Sequence, residues 1–180
     1  AVGHFQMGSI AVRVLSFRDV DIDADFWASR LASALKVRQS IGIADNPKNN
    51  TYRLVHGEGV NLPGLIIDVY DRAAVMQAHS IGMHLQRKQI AEQLVKVMGN
   101  RIDNVYYKSE TTLPFMDDME NGFVYGGSED NVAVENGLKF YVDWLRGQKT
   151  GFFVDQRDNR SLLERYSAGK SVLNMFCYNS

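Results

Sequence analysis

The sequence has little of several features that mark particular classes of protein. Its 180 residues include a single cysteine, Cys177, and three prolines, and its charges nearly cancel to a formal net charge of -1. One cysteine excludes an internal disulfide framework and favours a reducing compartment such as the cytoplasm. Because the chain has no excess of positive charge, any contact with nucleic acid must come from a local patch.

Long apolar runs and metal-binding spacings are also lacking. No run approaches the roughly 18–20 apolar residues that span a bilayer, and the N-terminus lacks the pattern of a secretion signal. The four histidines, His4, His56, His79 and His84, are scattered, and with one cysteine they give no zinc-binding spacing. Since 45% of the residues are hydrophobic, a core can form. We expect a soluble cytoplasmic protein without a membrane partner or a metal.

Helical and β-rich patterns alternate along the first part of the chain. Residues Ile10–Phe17 predict a strand, and a helix is expected from Asp25 to Arg38, capped by Asp23 or Asp25. The apolar side of that helix is formed by Phe26, Trp27, Leu31 and Leu35. Three β-rich runs follow and predict an antiparallel meander: Tyr52–His56, Leu65–Tyr70 and Ala74–His79.

The middle of the chain continues this alternation. Apolar residues at helical spacing predict a helix over Met83–Met98, ended by Gly99. A short strand is expected at Val105–Lys108, and Glu110–Glu120 is interpreted as a surface loop. The dipeptide Asn136-Gly137 lies between two β-rich runs and predicts a hairpin, because both turn positions require positive φ.

The segment from Gly147 to Tyr178 predicts a loop, a helix and a buried strand. Asp155 and Asp158 are typical of a helix start, and Leu162, Leu163 and Tyr166 are expected to form its buried side. The apolar run Ser171–Phe176 is typical of a strand inside a parallel sheet. Because ligands bind beyond the carboxyl ends of such strands, Asn174 to Tyr178 are expected at the rim of a pocket.

Three stretches of the sequence resemble one bacterial family in the family's own order. They are G-H-F-Q-M-G-S-I-A-V-R-V-L-S-F, R-L-V-H-G-E-G-V-N-L-P-G-L-I-I-D-V-Y-D, and G-Q-K-T-G-F-F-V-D-Q-R-D-N-R with the later V-L-N-M-F-C-Y. They are similar to segments of class I S-adenosylmethionine-dependent RNA methyltransferases that modify cytosine C5 in large-subunit ribosomal RNA. The resemblance extends over essentially the whole chain.

The resemblance implies an α/β protein of three parts. Residues 1–20 are expected to be the end of a β-rich, RNA-binding PUA domain, and residues 21–145 a central α+β domain with the antiparallel meander. Residues 146–180 are expected to be the first elements of a Rossmann-like domain that binds S-adenosylmethionine. We therefore expect a fragment of an enzyme whose partner is ribosomal RNA; the oligomeric state is left open.

The resemblance also implies a set of cofactor-binding residues. In the family, the K-T-G and D-Q-R segments lie beside S-adenosylmethionine, and the strand that follows reaches the same pocket. The corresponding residues of this chain are Lys149, Thr150, Gly151, Asp155, Gln156, Arg157, Asn174, Phe176 and Tyr178. From the residues alone, Asp155 to Arg157 are equally a helix start, and the aromatic residues equally part of a core.

Other features of the family pattern do not occur in this sequence. After F-x-Y the family continues with threonine and two glycines, whereas this chain has Asn179 and Ser180. The acidic residue for the ribose and the catalytic cysteine are also absent, and Cys177 falls in a different motif, so we expect no catalytic residue and no methyl transfer from these residues alone. Lys149-Thr150 lacks the upstream glycine of a phosphate-binding loop.

Two alternatives remain open at the level of sequence. A non-catalytic RNA-binding or scaffold module is the second candidate function, built from the central domain and the PUA remnant. Five basic residues are candidates for a phosphate-binding patch near the pocket, although they are equally typical of a solvated surface: Lys139, Arg146, Lys149, Arg157 and Arg160.

Overall fold

The computed structural model describes residues 1–8, 10–113, 120–128 and 132–175. Strand β1 (Val2–Phe5) pairs antiparallel with β2 (Val12–Ser16), and the two form a sheet of their own. The strand expected at Ile10–Phe17 is therefore present as β2, with slightly shorter bounds.

The first helix, α1 (Ala24–Ser40), is confirmed. Its N-cap is Asp23, whose side chain accepts a hydrogen bond from the backbone N–H of Phe26 at 2.9 Å. Trp27, Leu31 and Leu35 are buried on one side. The helix thus attaches to the rest of the molecule through the apolar side that the sequence predicts.

The centre of the molecule is a five-stranded sheet with the strand order β3-β4-β5-β6-β7. Strands β5 and β6 run parallel, whereas every other neighbouring pair is antiparallel. The sequence predicts all of these strands except β7, which follows β6 in the chain and pairs with it. The bounds are β3 Thr51–His56, β4 Leu65–Tyr70, β5 Ala73–Ala78, β6 Asn104–Tyr107 and β7 Gly122–Tyr125.

Two helices connect the parallel strands β5 and β6. The single helix expected over Met83–Met98 is in part wrong, because two helices are present. They are α2 (Ile81–Leu85) and α3 (Arg87–Met98), and Gln86 lies between them. The Ser80 side chain caps α2 through the N–H of Met83. Gly99 ends α3 with a positive φ of 58°, as the sequence predicts.

The sheet has two faces with different cover. Helices α1 and α3 pack on one face, where Trp27 and Leu94 meet sheet residues such as Met76. The other face carries Tyr70 and a second apolar cluster: Val75, Tyr106, Trp144 and Phe152. Because side chains alternate between faces along a strand, Asp68 and Tyr70 of β4 share this second face.

A hairpin lies next in the chain. Strands β8 (Val132–Glu135) and β9 (Leu138–Tyr141) pair antiparallel around Asn136 and Gly137, whose φ angles are 53° and 83°. This hairpin is confirmed. Its Ala133 belongs to the apolar cluster on the second face of the sheet.

The last helix is α4 (Arg157–Ser167), preceded by a 3₁₀ turn at Val154–Gln156. Asp155 lies within that turn and Asp158 in the first turn of α4, so the expected helix start is confirmed, although no side chain caps α4. The expected buried side is wrong, because each member is about half exposed or more: Leu162, Leu163 and Tyr166. No described element covers this side of α4.

The strand expected at Ser171–Phe176 is wrong over its described residues. Residues 171–175 form no strand, and Val172, Leu173 and Met175 are exposed. A buried strand requires neighbours that pair with its backbone, and no described strand lies beside this run. Phe176 falls outside the described residues, as do residues 114–119 of the expected loop. Among the described helices, none has the length and apolar character needed to cross a membrane.

Candidate functional site

A cavity of about 540 Å³ opens on the second face of the central sheet. One wall belongs to the sheet and the turn after β3, and its polar members are Arg53, Glu58, Gln77 and His79. The opposite wall comes from the loop before α4 and consists of Lys149, Phe152 and Asp155. Arg13 of β2 and Thr111 and Thr112 complete the lining.

The loop that supplies the second wall has an unusual backbone. Lys149 has a φ of 52°, in the left-handed region that few residues other than glycine adopt. Gly151 has a φ of 111°, and a Cβ atom there would lie 2.4 Å from the Cα of Trp144. Position 151 therefore requires glycine for both reasons. The side-chain amine of Lys149 lies 4.5 Å from the centre of the Phe153 ring.

A buried polar network attaches this loop to the sheet. Arg53 donates two hydrogen bonds to Asp68, at 2.8 and 2.9 Å, and Asp68 is fully buried. The hydroxyl of Thr150 donates to the same carboxylate at 2.6 Å, so Tyr70 donates to Thr150 at 2.9 Å. Burial, followed by the charge of Asp68, raises the pKa of Tyr70, which keeps its hydroxyl protonated as a donor.

A second ionic cluster holds the start of α4. Arg160 donates to both carboxylate oxygens of Glu135, at 2.6 and 2.7 Å, and Glu135 is only 2% exposed. Arg157 contacts the same carboxylate at 3.4 Å and also donates to the carbonyl of Thr51. Of the candidate basic patch, Arg157 and Arg160 are therefore held by an acid on β8.

The structure separates the residues that the sequence assigns to one cofactor site. Lys149 and Asp155 line the cavity, and Asp155 with Arg157 also lines a smaller cavity of about 330 Å³. Thr150 and Gly151 are buried residues of the same loop and do not line either cavity. Gln156 and Asn174 are exposed and also line neither cavity. Phe176, Tyr178 and Cys177 lie outside the described residues.

Several cavity residues were not predicted from the sequence. Arg13, Gln77 and His79 come from distant parts of the chain, which the fold brings together. A signal was present for one of them, since Gln77 is the single polar residue in the strand A-A-V-M-Q-A and is 5% exposed. Burying a polar side chain without a hydrogen bond costs free energy, so a polar residue in an otherwise apolar buried strand indicates a bonding partner or a cavity.

The charges around the cavity are nearly balanced. Arg53 is compensated by Asp68, and its pKa is raised chiefly by that hydrogen bond. Arg13 and Lys149 are matched in number by Glu58 and Asp155. Partial burial lowers the pKa of His79, and the charge of Arg53 lowers it further, so this imidazole is neutral at pH 7. Such a lining suits a polar ligand without a large net charge.

In residues 1–8, 10–113, 120–128 and 132–175, no cluster of three or more histidine, cysteine, aspartate or glutamate side chains has a geometry that holds a metal ion. The cavity instead presents hydrogen-bond donors and acceptors around an apolar floor that includes Leu65 and Phe152, which is typical of a small-molecule or nucleotide site.

One part of the chain matches a known protein family. Residues 118–180 match the family model of S-adenosylmethionine-dependent methyltransferases. The matched segment includes the loop with Lys149 and Asp155. The described sheet and helices before residue 118 lie outside this match.

Individual relatives extend the similarity to nearly the whole chain. The chain is 38% identical over 177 residues to the ribosomal RNA large subunit methyltransferase I of Shewanella frigidimarina. It is 36% identical over 173 residues to the ribosomal RNA large subunit methyltransferase I of Alteromonas mediterranea. Each match covers 94% of this chain and 43% of the relative, so the chain spans less than half the length of these relatives.

Solved structures share the fold. A protein described as "a putative sam-dependent methyltransferase from Streptococcus mutans" superposes with a TM-score of 0.74 at 21% identity, over 88% of this chain and 40% of that one. A second, described as a "putative methyltransferase complexed with SAH", gives a TM-score of 0.71 at 20% identity, over 85% of this chain and 38% of that one. The mixed α/β architecture is therefore shared with these proteins.

Proposed function

We propose that this chain is part of an S-adenosylmethionine-dependent methyltransferase that acts on large-subunit ribosomal RNA. The observation that carries the proposal is the match of residues 118–180 to the methyltransferase family model. Relatives at 36–38% identity are named as ribosomal RNA large subunit methyltransferases, which supports ribosomal RNA as the substrate. These names do not favour the alternative of a non-catalytic RNA-binding module.

Two finer assignments follow from the resemblance of the sequence to cytosine-5 methyltransferases. We propose that the methylated atom is cytosine C5, and that residues 1–20, 21–145 and 146–180 belong to a PUA domain, a central domain and a Rossmann-like domain. The first boundary is supported by the separate sheet of β1 and β2. The second is supported by the loop after Val142, where the chain leaves the hairpin β8-β9.

The candidate cofactor residues divide into two groups by what they contact. Lys149 and Asp155 line the cavity and present an amine and a carboxylate to it. The amino-acid end of S-adenosylmethionine carries a carboxylate and an ammonium, so this pair fits it in charge. When bound, S-adenosylmethionine supplies a methyl group attached to a positively charged sulfur. We propose that Lys149 and Asp155 bind and orient its charged end.

The remaining candidates are proposed to position the loop or to extend the site. Thr150 is hydrogen-bonded to Asp68 and Tyr70, and Gly151 packs against the backbone of Trp144, so both fix the course of the loop. Arg157 ties the start of α4 to Glu135. Gln156, Asn174, Phe176 and Tyr178 remain proposed cofactor contacts on the strength of the resemblance.

The test is a titration of the ¹⁵N-labelled chain with S-adenosylmethionine, followed by NMR. Because only Lys149 and Asp155 among the described candidates line the cavity, we expect a dissociation constant of about a millimolar or weaker, about 4 kcal/mol, and the NMR titration detects such weak binding. Shift changes are expected to concentrate in residues 147–157. Asp155→Asn should weaken binding about tenfold, since a charge-assisted hydrogen bond is lost.

The matched control is Asp158→Asn, which neutralises an exposed carboxylate three residues further on and outside the cavity lining. This variant should bind like the parent chain. Shift changes confined to the helices α1 and α3, or equal affinities for the two variants, would remove the assignment of Lys149 and Asp155 to the cofactor.

A further inference from the structure

The sheet wall of the cavity contains a buried amide that has no hydrogen-bond partner among the described residues. Gln77 of β5 is 5% exposed, and its side chain makes no hydrogen bond with any part of the chain that the structure describes. The side chain lines the cavity, and its polar atoms are open to it. A buried amide without a partner costs stability unless a ligand or water satisfies it. Gln77 is thus placed to contact a ligand.

The charge of the cavity restricts what that ligand can be. Arg53 is neutralised by Asp68, and Arg13 and Lys149 are opposed by Glu58 and Asp155. A lining with no net charge gives no advantage to a group of phosphates. It suits a neutral, planar group with hydrogen-bonding edges, and the volume of about 540 Å³ lies within the range of ligand pockets.

The sheet wall that contains Gln77 lies outside the segment that matches the methyltransferase family. Among the described lining residues, only Lys149, Phe152 and Asp155 belong to the matched residues 118–180. All other lining residues precede residue 118 and come mainly from β3 to β5 and the turns beside them. The wall that faces the candidate cofactor residues is therefore built by a different part of the fold.

We propose that this sheet wall takes one unpaired nucleobase of the RNA substrate, with the amide of Gln77 bound to the polar edge of the base. This inference rests on the proposed function, which makes RNA the substrate. Glutamine amides donate and accept side by side and so match base edges, and proteins recognise RNA mainly through unpaired bases. Enzymes that modify a base also remove it from the stack.

The experiment measures binding of a fluorescein-labelled, single-stranded RNA decamer of mixed sequence to the 180-residue chain. Gln77→Leu removes the amide at similar volume and should weaken RNA binding about tenfold. The control is Gln93→Leu, which replaces a glutamine of similar burial (6% exposed) on α3, away from the cavity. Its affinity for RNA should equal that of the parent chain. Thermal unfolding of both variants verifies that they are folded.

A second measurement avoids mutation. The same RNA with 4-thiouridine is crosslinked to the parent chain, and the modified peptides are identified by mass spectrometry. Crosslinks are expected in the peptides that contain Gln77 or His79. Crosslinks only at other surfaces would overturn the inference even if Gln77→Leu failed to fold.

The remaining outcomes distinguish this inference from the proposed function. Equal RNA affinity of Gln77→Leu and the parent would overturn the base-binding role while leaving RNA as the substrate. If Gln77→Leu weakened S-adenosylmethionine binding and left RNA binding unchanged, the wall would belong to the cofactor instead. Absence of RNA binding by the parent, together with shift changes from S-adenosylmethionine at residues 147–157, would also overturn the inference but not the cofactor assignment.

Discussion

Helices α1 and α3 are held to the rest of the molecule by different interactions from those that hold helix α4. Helices α1 and α3 attach to the central sheet through fully buried apolar side chains such as Trp27, Leu31 and Leu94. Helix α4 attaches differently. It has no buried residue, and its contacts include the ion pairs of Arg157 and Arg160 with Glu135 and the stacking of Arg160 on Phe152.

This difference separates an apolar core from the loop and helix start that supply one wall of the candidate site. Burial of apolar surface stabilises the sheet and its helices without requirements on direction. The start of α4 depends instead on directed hydrogen bonds to Glu135, and the loop with Lys149 combines the buried Phe152 with the bond of Thr150 to Asp68. Directed bonds to buried acids fix geometry, and their loss leaves uncompensated charge. The candidate site should therefore be sensitive to single polar substitutions.

The largest effect is expected for Asp68→Asn. This substitution removes the charge that Arg53 and Thr150 share, and breaking a buried ion pair typically costs 3–5 kcal/mol. Because the Arg53 side chain is still 28% exposed, we expect a loss of about 3 kcal/mol in the free energy of unfolding, measured by urea denaturation. Asp45→Asn, at the exposed pair with Arg101, should cost less than about 1 kcal/mol. Equal losses would refute a special role for burial.

Glu135→Gln should affect the two regions unequally. Arg157 and Arg160 would lose their acid, and we expect α4 to open locally at a cost of about 2 kcal/mol. Hydrogen exchange followed by mass spectrometry should show faster exchange in residues 157–167 and little change in β3 to β5. Glu164→Gln removes an exposed charge of α4 itself and should leave exchange unchanged. Uniform acceleration over the whole chain would contradict separate anchoring.

A smaller loss is expected for Thr150→Val. The hydroxyl that bonds to Asp68 and Tyr70 disappears at nearly constant volume, which should cost about 1–2 kcal/mol in unfolding free energy. Thr150→Ser keeps the hydroxyl and should recover most of that loss in the same urea titration. If serine were as damaging as valine, packing of the methyl group rather than the hydrogen bond would attach the loop.

The sequence predicts the elements whose signals are local. The cap of Asp23 and the turn at Asn136-Gly137 depend on residues within a few positions, and both are confirmed. The break at Gln86 has no glycine or proline to mark it. Strand β7 depends on its pairing with β6 across a loop, and the run Ser171–Met175 has no described partner despite its apolar character. Pairing between distant segments is not encoded in a local pattern.

The candidate site shows the same division. Lys149 and Asp155 were assigned through a contiguous motif, and both line the cavity. Thr150 is hydrogen-bonded to Asp68 and Tyr70, which lie 80 or more residues earlier in the chain. The motif does not predict these bonds. Gln77 was recognisable as the one polar residue of a buried strand, but its direction toward the cavity depends on the register of β4 and β5.

The smallest effect is expected for Leu162→Ala in α4. Leu162 is 48% exposed, so truncation removes little buried surface and leaves no cavity, and we expect a change within about 0.5 kcal/mol in unfolding free energy. The matched substitution Leu94→Ala, in the fully buried side of α3, should cost about 2–5 kcal/mol. Urea denaturation of both variants measures the contrast directly. A loss of more than about 1 kcal/mol for Leu162→Ala would mean that α4 is held by apolar packing as well, and the distinction between the two regions would fail.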